Sequence, residues 1–386
     1  MAAQKPVCAK ENRRSKGKGV DIPFLMMLLA LLTVGLVMLY SASYAQSQYD
    51  TLYEQSAYYF KRQAICAGIG LAAMVFISRI PPVFWYRTAW PIYGAGILLL
   101  LSVLVAGQSV NGAKRWIQIG GIQFQPSEIS KFTLVILLAR LTRNYGMQAG
   151  SFRWGVLGFG SALMGILIPL ALEKHLSALM LMGLVAVVMM FVAGTRLRWI
   201  LGGAGCAGVF VAVYTSMMGY AGDRISAWQH PELDPADTGY QILQSLYAIG
   251  SGGFFGLGLG HSRQKYMYLP FQYNDYIFAV ICEELGFVGA MAIVLLFGMF
   301  LLRGYWIALR APSRFMTVLA AGLVTLIGVQ FLLNLGVVTN LLPSTGIALP
   351  FFSYGGTALA VNLGEMGVVL GISRYRNDPS DQEEIL

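Results

Sequence analysis

Residues 22–44 read IPFLMMLLALLTVGLVMLYSASY, a run of 23 residues without a charged side chain. About 20 apolar residues of α-helix are enough to cross the hydrocarbon core of a bilayer. A basic segment precedes the run, but the run is longer than the apolar region of a signal peptide and lacks a small-residue cleavage site. The sequence therefore predicts an uncleaved membrane-spanning helix near the start of the chain.

The composition extends this prediction to the whole chain. The 386 residues are 56% hydrophobic and 12% charged, with a mean hydropathy of +0.62, whereas about a quarter of the residues of a soluble domain are charged. A soluble enzyme, a secreted domain and a single-pass receptor are excluded. We predict an all-α integral membrane protein of about ten transmembrane helices, the fourth being the weakest because charges interrupt it. The further apolar runs lie near 62–80, 85–107, 127–144, 152–172, 175–194, 197–219, 276–302, 315–341 and 354–373.

The lysines and arginines predict the orientation. With the amino terminus in the cytoplasm, 18 of the 27 lie on the cytoplasmic side of this map, as the positive-inside rule requires. The net charge of +9 thus reflects membrane orientation, and we expect no nucleic-acid partner. Both termini are predicted to be cytoplasmic. The predicted regions are a basic tail (1–20), a polytopic membrane domain (21–376) with long extracytoplasmic loops at about 108–127, 220–275 and 342–353, and an acidic tail (377–386).

The cysteines and histidines are too scattered to indicate a disulfide framework or a zinc site. We therefore predict no metal site of that kind. The residues are Cys8, Cys66, Cys206, Cys282, His175, His230 and His261.

The first long loop carries two cations beside an aromatic ring, Lys114 and Arg115 next to Trp116. This arrangement suits an interfacial anchor and a binding site for a phosphate-bearing lipid headgroup equally well. Glu128 and Lys131 follow shortly after, at the start of the fourth apolar run. An acidic residue in the first helical turn with an i,i+3 partner accounts for this pair structurally, and a binding role stays open.

The second long loop contains Arg224 and, between Gly250 and Gly260, six glycines. Their spacing matches neither GxGxxG nor GxxxxGK[ST], so nucleotide binding is not supported. Glycines permit close approach of backbones, and irregular backbone at membrane depth must be shielded from lipid. We therefore predict a re-entrant segment packed against other helices.

Asp275 ends this loop and begins the eighth apolar run. A carboxylate at the outer mouth of a helix is a candidate general base, although a helix-terminal Asp is also favoured by the helix dipole. Glu283 and Glu284 lie roughly 12 Å deeper along the same helix. Each is either functional or part of an interhelical hydrogen bond.

Several motifs, taken together and in order, closely resemble the SEDS family (shape, elongation, division and sporulation). The resemblance extends over nearly the whole chain, and the residues 262–265 (SRQK) and 41–43 (SAS) look more like the division and sporulation branch than the elongation branch. The motifs are NGAKRW (111–116), FQPSE (124–128), GYQ…QS…AIGSGG…GLG (239–258), YLP…ND (268–275), EELG (283–286) and TGIALPFFSYGG (345–356).

The resemblance implies a peptidoglycan glycosyltransferase that polymerises lipid II outside the cytoplasmic membrane, partnered by a class B penicillin-binding protein and by other division or sporulation membrane proteins. The family's essential acid falls on Asp275, but Tyr273 and Asn274 replace the His and Thr that usually precede it. Ser344 and Ala348 likewise replace prolines. The residues predicted to bind substrate are Lys114, Arg115, Arg224, Arg263, Lys265, Glu128, Lys131, Gln244 and Ser245.

The chemistry agrees with this reading. Joining two lipid-linked disaccharides needs a base for a sugar hydroxyl and cations for a leaving diphosphate, and the diphosphate bond already activates the donor. No cofactor is required, although a divalent cation is compatible with the diphosphate. Two other functions stay open: a transporter that flips the lipid-linked precursor, and a membrane scaffold that only positions the transpeptidase. Of the three, only the enzyme needs a carboxylate at the outer mouth.

Overall fold

The computed structural model describes residues 19–52, 54–110, 113–119, 122–203, 205, 208, 227–233 and 239–375. This part of the chain is mostly helical, with one small sheet. The helices are α1 (Ile22–Asp50), α2 (Tyr58–Ile77), α3 (Pro82–Ala106), α4 (Pro126–Tyr145), α5 (Phe159–Leu172), α6 (Leu176–Val192), α7 (Tyr240–Gly252), α8 (Ile277–Leu309), α9 (Arg314–Val338) and α10 (Gly356–Ser373), and the strands are β1 (Gln108–Val110), β2 (Ala113–Ile119) and β3 (Ile122–Phe124).

Within the described residues, seven helices are long and apolar enough to cross a membrane: α1, α2, α3, α5 with the turn that precedes it, α8, α9 and α10. The apolar helix α6 is shorter, at 17 residues. The predicted span at 197–219 lies mainly outside the described residues, as do most of the two predicted tails. The membrane character is thus clear, and the count of ten spans stays a prediction.

Helix α1 begins where its first turn is capped. The Asp21 carboxylate accepts a hydrogen bond from Phe24 N at 3.0 Å, and Pro23 occupies the first turn, where a missing N–H costs nothing. The same carboxylate receives Arg303 of α8 through two hydrogen bonds of 2.9 Å. One side chain therefore both starts α1 and joins it to α8.

The weakest predicted helix lies at the centre of the bundle. Helix α4 packs against α3, α5, α6 and α9, and 14 of its 20 residues are buried, including Glu128 and Lys131. Its hydropathy is low because it carries charges, and the surrounding helices shield those charges from lipid. α9 and α10 are similarly enclosed by neighbouring helices.

Residues 108–110, 113–119 and 122–124 form a three-stranded antiparallel sheet, so the prediction of an all-α fold is wrong in this detail. β2 pairs with both neighbours, Trp116 lying opposite Gln108 and Ile117 opposite Phe124. Two of the strands have only three residues, too few for an alternating pattern to stand out in the sequence. The sheet connects α3 to α4 at the end of the bundle where Asp275 lies.

The glycine-rich segment packs against a break in α8. Gly286, at φ 68° and ψ −171°, interrupts the helix, and its neighbours Phe287 and Val288 donate their N–H groups to the carbonyls of Gly253 and Phe254. The segment in turn donates to the Glu283 and Glu284 carbonyls. The backbone groups released by the break are thus paired. This packing is the one predicted for the glycines, although the sequence did not predict the break itself.

Candidate active site

Asp275 lies in the turn that leads into α8 and is partly buried. Its carbonyl oxygen accepts a hydrogen bond of 2.7 Å from the side-chain amide of Asn334 on α9. The same amide donates to the carbonyl of Ile347 at 2.8 Å. Asn334 therefore holds the backbone of Asp275 beside the loop that connects α9 to α10.

That loop approaches the Asp275 carboxylate at a glycine. Gly346 has φ +68°, and a Cβ atom placed on it would lie 3.3 Å from Asp275 Oδ2. The carboxylate thus lies against bare backbone, in a conformation that favours glycine. Ser353 fixes the other side, since its hydroxyl donates to the Asn274 carbonyl at 2.6 Å and accepts from Leu349 N at 2.7 Å.

The connection between α5 and α6, residues 173–175, together with the first turn of α6, brings a cation to this loop. Ser177 donates its hydroxyl hydrogen bond to the carbonyl of Thr345, the neighbour of Gly346. On the same connection, the Lys174 carbonyl accepts a hydrogen bond of 2.6 Å from Arg115 Nη2 of β2. Arg115 and Asp275 are therefore linked through only a few residues, although they are 160 positions apart in the chain.

Two buried titratable groups lie on this connection. Burial raises the pKa of Glu173 to about 8, although Arg115 opposes the shift. Burial, followed by the charges of Arg115 and Lys131, lowers the pKa of His175 to about 3. The His175 imidazole is therefore neutral at physiological pH, and its Nδ1 has no hydrogen-bond partner among the described residues. Neither residue was identified from the sequence as part of the site.

Glu128 and Lys131 form the predicted i,i+3 ion pair, with 2.7 Å between Nζ and Oε2. Lys131 Nζ also lies 3.5 Å from Gln330 Oε1, and the Gln330 amide donates to the Ala348 carbonyl at 3.1 Å. The pair is buried and connects through Gln330 to the loop beside Asp275. Glu365 of α10 is buried near these charges, and neither of its carboxylate oxygens has a partner among the described residues.

Three more of the predicted residues contact α8 or α9. Lys265 is 3% exposed and pairs with Glu284 at 3.0 Å. Arg263 is exposed, and its backbone N–H donates to Glu283 at 3.0 Å. Ser245 donates its hydroxyl hydrogen bond to the Val338 carbonyl at 2.8 Å. These residues hold loops and helices together.

Of the three remaining predicted residues, only Gln244 has a described side chain. Gln244 is partly buried on α7, next to Ser245. Lys114 lies in β2 opposite Ser109, and its side chain is outside the described part of the structure, as is the whole of Arg224. Among the described residues, no three His, Cys, Asp or Glu side chains lie close enough together to ligate a metal ion.

The helical bundle is shared with known proteins. The model of the family described as Cell cycle protein, covering FtsW, RodA and SpoVE, matches residues 23–378. This chain belongs to that family. Stage V sporulation protein E of Bacillus subtilis (strain 168) is 40% identical over 94% of this chain and 99% of its own length.

Other members of the family show the same extent of similarity. The probable peptidoglycan glycosyltransferase FtsW of Geobacter metallireducens is 40% identical, over 93% of this chain and 96% of its own length. Among solved structures, a chain of a peptidoglycan synthase complex superimposes with a TM-score of 0.77 at 27% identity, over 93% of this chain and 99% of that one. RodA of Thermus thermophilus gives a TM-score of 0.69, also at 27% identity, over 93% and 98%. The high identities to SpoVE and FtsW confirm the predicted division and sporulation branch.

Proposed function

We propose that this chain is a peptidoglycan glycosyltransferase that polymerises lipid II at the outer face of the cytoplasmic membrane during division or sporulation. The names of its FtsW relatives support the activity. The observation that carries the proposal is the position of the Asp275 carboxylate against Gly346. The loop that contains Gly346 is linked through residues 173–177 to Arg115.

In the proposed reaction Asp275 acts as general base. It accepts the proton of the acceptor sugar's hydroxyl as that oxygen bonds to the anomeric carbon of the donor, and the bond from this carbon to the donor's diphosphate breaks. The diphosphate is a stable leaving anion that needs no protonation, so one carboxylate suffices, in contrast to the pair used by most glycosidases. No cofactor held by the chain is needed, and a divalent cation would be carried by the diphosphate itself.

The diphosphate would lie on the side of Asp275 that faces Arg115 and Lys131. A planar guanidinium suits two phosphate oxygens, whereas a buried ammonium acts as a point charge. Lys114 and Arg224, on the same predicted outer face, belong to the proposed diphosphate site by sequence. Glu128 would hold Lys131 in position through their 2.7 Å contact.

We propose an orientation with both termini in the cytoplasm and about ten spans. The contacts at the two ends of the bundle support it. Asp21 N donates to Ser373 Oγ at 3.0 Å, so the first and last described helices meet at one end. Cations predicted to be cytoplasmic lie at that end too, Arg303 on Asp21 and Arg374 on Ser78. Asp275 lies at the opposite end of α8 from Arg303.

We further propose that the chain works with a class B penicillin-binding protein, whose transpeptidase cross-links the strands, and with other membrane proteins of division or sporulation. The likeness to a chain of a solved peptidoglycan synthase complex supports this partnership.

Flipping of the lipid-linked precursor is a second candidate function, and Glu365 is the observation that favours it. A buried carboxylate without a described partner on a bundle helix resembles the ionisable groups that transporters use. Flipping, however, gives no role to the Asp275 carboxylate. A variant that removes this carboxylate, Asp275→Asn, therefore distinguishes the two functions.

Asp275→Asn removes the base and keeps the size of the side chain. We expect the purified variant to fold normally and to lose a hundredfold or more of its polymerisation rate, since general base catalysis contributes roughly 10²–10⁴-fold. The measurement is polymer formed from labelled lipid II, with and without the partner. Glu54→Gln, which changes an exposed carboxylate between α1 and α2, is the matched control and keeps full activity. Near wild-type polymer from Asp275→Asn would refute the assignment.

A further inference from the structure

Three tyrosines from separate parts of the chain meet beside the Asp275 turn. Tyr59 of α2, Tyr273 of the turn and Tyr354 of the α9–α10 loop form what we call the tyrosine cluster. The ring centroid of Tyr59 lies 4.6 Å from that of Tyr273 and 4.9 Å from that of Tyr354, and the last two are 5.9 Å apart. All three side chains are partly exposed.

The cluster is held by backbone contacts rather than by its rings alone. Tyr354 N donates to the Tyr273 carbonyl at 2.9 Å. Gln63 of α2 donates to the Ser353 carbonyl at 3.1 Å and accepts from Gly355 N at 3.1 Å. The residues on both sides of Tyr354 are thus tied to α2, which leaves its ring in a fixed position. A rigid aromatic surface loses little conformational entropy when a ligand binds to it.

Charged groups of both signs border the cluster. The Tyr59 hydroxyl donates to the carboxylate of Asp50, at the exposed end of α1. Arg62 lies beside the Tyr354 hydroxyl, and its guanidinium lies 4.4 Å from the ring centroid of the neighbouring Tyr58. Asp50 and Arg62 are both exposed. The border therefore offers a hydrogen-bond acceptor and a fork of donors beside the aromatic rings.

This combination selects one class of ligand. The faces of aromatic rings carry negative charge and attract the weakly positive C–H groups of a sugar ring, while a carboxylate and a guanidinium bind its hydroxyl and amide groups. A diphosphate would be repelled by Asp50. An acyl chain would gain nothing from two exposed charges. A saccharide matches both the rings and their border.

The cluster is also in the correct place for a saccharide of the proposed reaction. Tyr273 precedes Asp275 by two residues, so their Cα atoms are no more than about 7 Å apart. The Asp275 carboxylate lies against Gly346. Arg115 donates a hydrogen bond to the Lys174 carbonyl on the connection between α5 and α6. The tyrosine cluster and the cations therefore approach Asp275 through different parts of the chain.

We infer that the tyrosine cluster, with Asp50 and Arg62, is a subsite for a β-linked amino-sugar chain, where the growing glycan strand is held next to Asp275. The inference rests on the proposed function for its place in the reaction, but the subsite itself is a binding surface that is measured separately. The subsite retains the strand between additions, so its loss shortens the polymer and raises KM more than it lowers kcat.

The first experiment measures binding without turnover. Purified Asp275→Asn protein is titrated with the tetramer of β-1,4-linked N-acetylglucosamine, and saturation-transfer NMR reports the contact with aromatic protons. We expect binding that weakens by roughly tenfold when Tyr59→Leu is added, because the largest contribution of a stacked aromatic pair is of that order. Tyr247→Leu, which removes an exposed tyrosine on α7, is the matched control and leaves the affinity unchanged.

Tyr59→Phe separates a binding role from a purely structural one. This variant keeps the ring and removes only the hydroxyl that bonds Asp50. We expect it to retain the fold, shown by an unchanged melting temperature, and to bind the tetramer between the wild-type and Tyr59→Leu values. If the cluster only joins α2 to the loops, Tyr59→Leu lowers the melting temperature and folded protein still binds the tetramer as before, which overturns the inference.

The second experiment measures the product. With wild-type Asp275, Tyr59→Leu and Tyr354→Leu give shorter glycan strands from lipid II, while Tyr247→Leu gives strands of normal length. Normal strand lengths in both cluster variants also overturn the inference. If Asp275→Asn polymerises normally, the proposed base is wrong, but tetramer binding and its loss in Tyr59→Leu still decide the subsite.

Discussion

The connection between α5 and α6 determines the charge of the proposed diphosphate site. Glu173 and His175 are both buried there, and their shifted pKa values make both largely neutral near pH 7. Arg115 and Lys131 lie nearby, and Glu128 forms an ion pair with Lys131. Glu173 in its neutral form therefore does not cancel the Arg115 charge.

Replacing Glu173 by Gln tests this electrostatic account through pH. The folded state holds the Glu173 proton up to about pH 8, whereas the unfolded chain releases it near 4.5. Between these values the folded state binds more protons, so ionisation of Glu173 destabilises the fold as pH rises. We expect Glu173→Gln to melt at the wild-type temperature near pH 5 and several degrees above it at pH 8.5. A lower melting temperature for the variant at pH 8.5 would mean that Glu173 is ionised and paired with Arg115.

Sequence reasoning reached Asp275 but missed Glu173 and His175 for a physical reason. An acid between a long loop and an apolar run is visible in the sequence, because both of its neighbours are recognisable. The role of His175 depends instead on Arg115 and Lys131, which lie more than 40 residues away. The sequence offered one signal: three consecutive ionisable residues, Glu173, Lys174 and His175, form the whole connection between two apolar runs.

At the scale of elements, Glu283 and Glu284 hold the loop after the glycine-rich segment. Glu283 accepts hydrogen bonds from Arg263 N and Gln264 N. Glu284 has a side chain that is 0% exposed, and it pairs with Lys265 and with Ser41 of α1. The sequence left a structural and a functional role open for these two carboxylates. Their contacts give them a structural role.

Removing one partner of this buried pair tests that role. Lys265→Met leaves the Glu284 charge uncompensated, so we expect a loss of roughly 3–5 kcal/mol in stability. The double variant Lys265→Met, Glu284→Met should recover much of it. Thermal unfolding in detergent measures both, and His230→Ala, at an exposed pair with Glu232, is the control with little effect. A stable Lys265→Met protein that no longer polymerises lipid II would instead support the sequence-based prediction that Lys265 binds substrate.

The boundaries of the helices were predictable only where composition changes. Apolar runs gave the bounds of α2 and α3 to within four residues, whereas α1 extends six residues beyond its predicted end. The break at Gly286 was not predicted, because an isolated glycine within an apolar run is common and the segment that fills the break is 30 residues away. Backbone pairing between distant segments leaves no periodic pattern in either one.

At the scale of the whole molecule, the bundle has two chemically different ends. At one end arginines bind backbone carbonyls, as Arg140 does with that of Tyr86 in α3 and Arg314 with that of Ala193 after α6. At the other end lie the sheet, the Asp275 turn and the tyrosine cluster. These arginines are bound to the protein's own backbone, whereas charged side chains near Asp275, such as Asp50 and Arg62, are exposed. The proposed orientation follows from this asymmetry and from the positive-inside rule.

Cysteine labelling in intact cells tests the orientation directly. In a variant whose four native cysteines are replaced by alanine, Leu52→Cys places a thiol on the 84% exposed residue between α1 and α2, at the Asp275 end. Pro312→Cys places one on the exposed connection between α8 and α9, at the arginine end. A membrane-impermeant maleimide added outside should label Leu52→Cys at once and Pro312→Cys only after permeabilisation. Retained cell growth on each variant is the control for folding. The reverse labelling pattern would put Asp275 in the cytoplasm, where a polymerase of outer-face lipid II could not work.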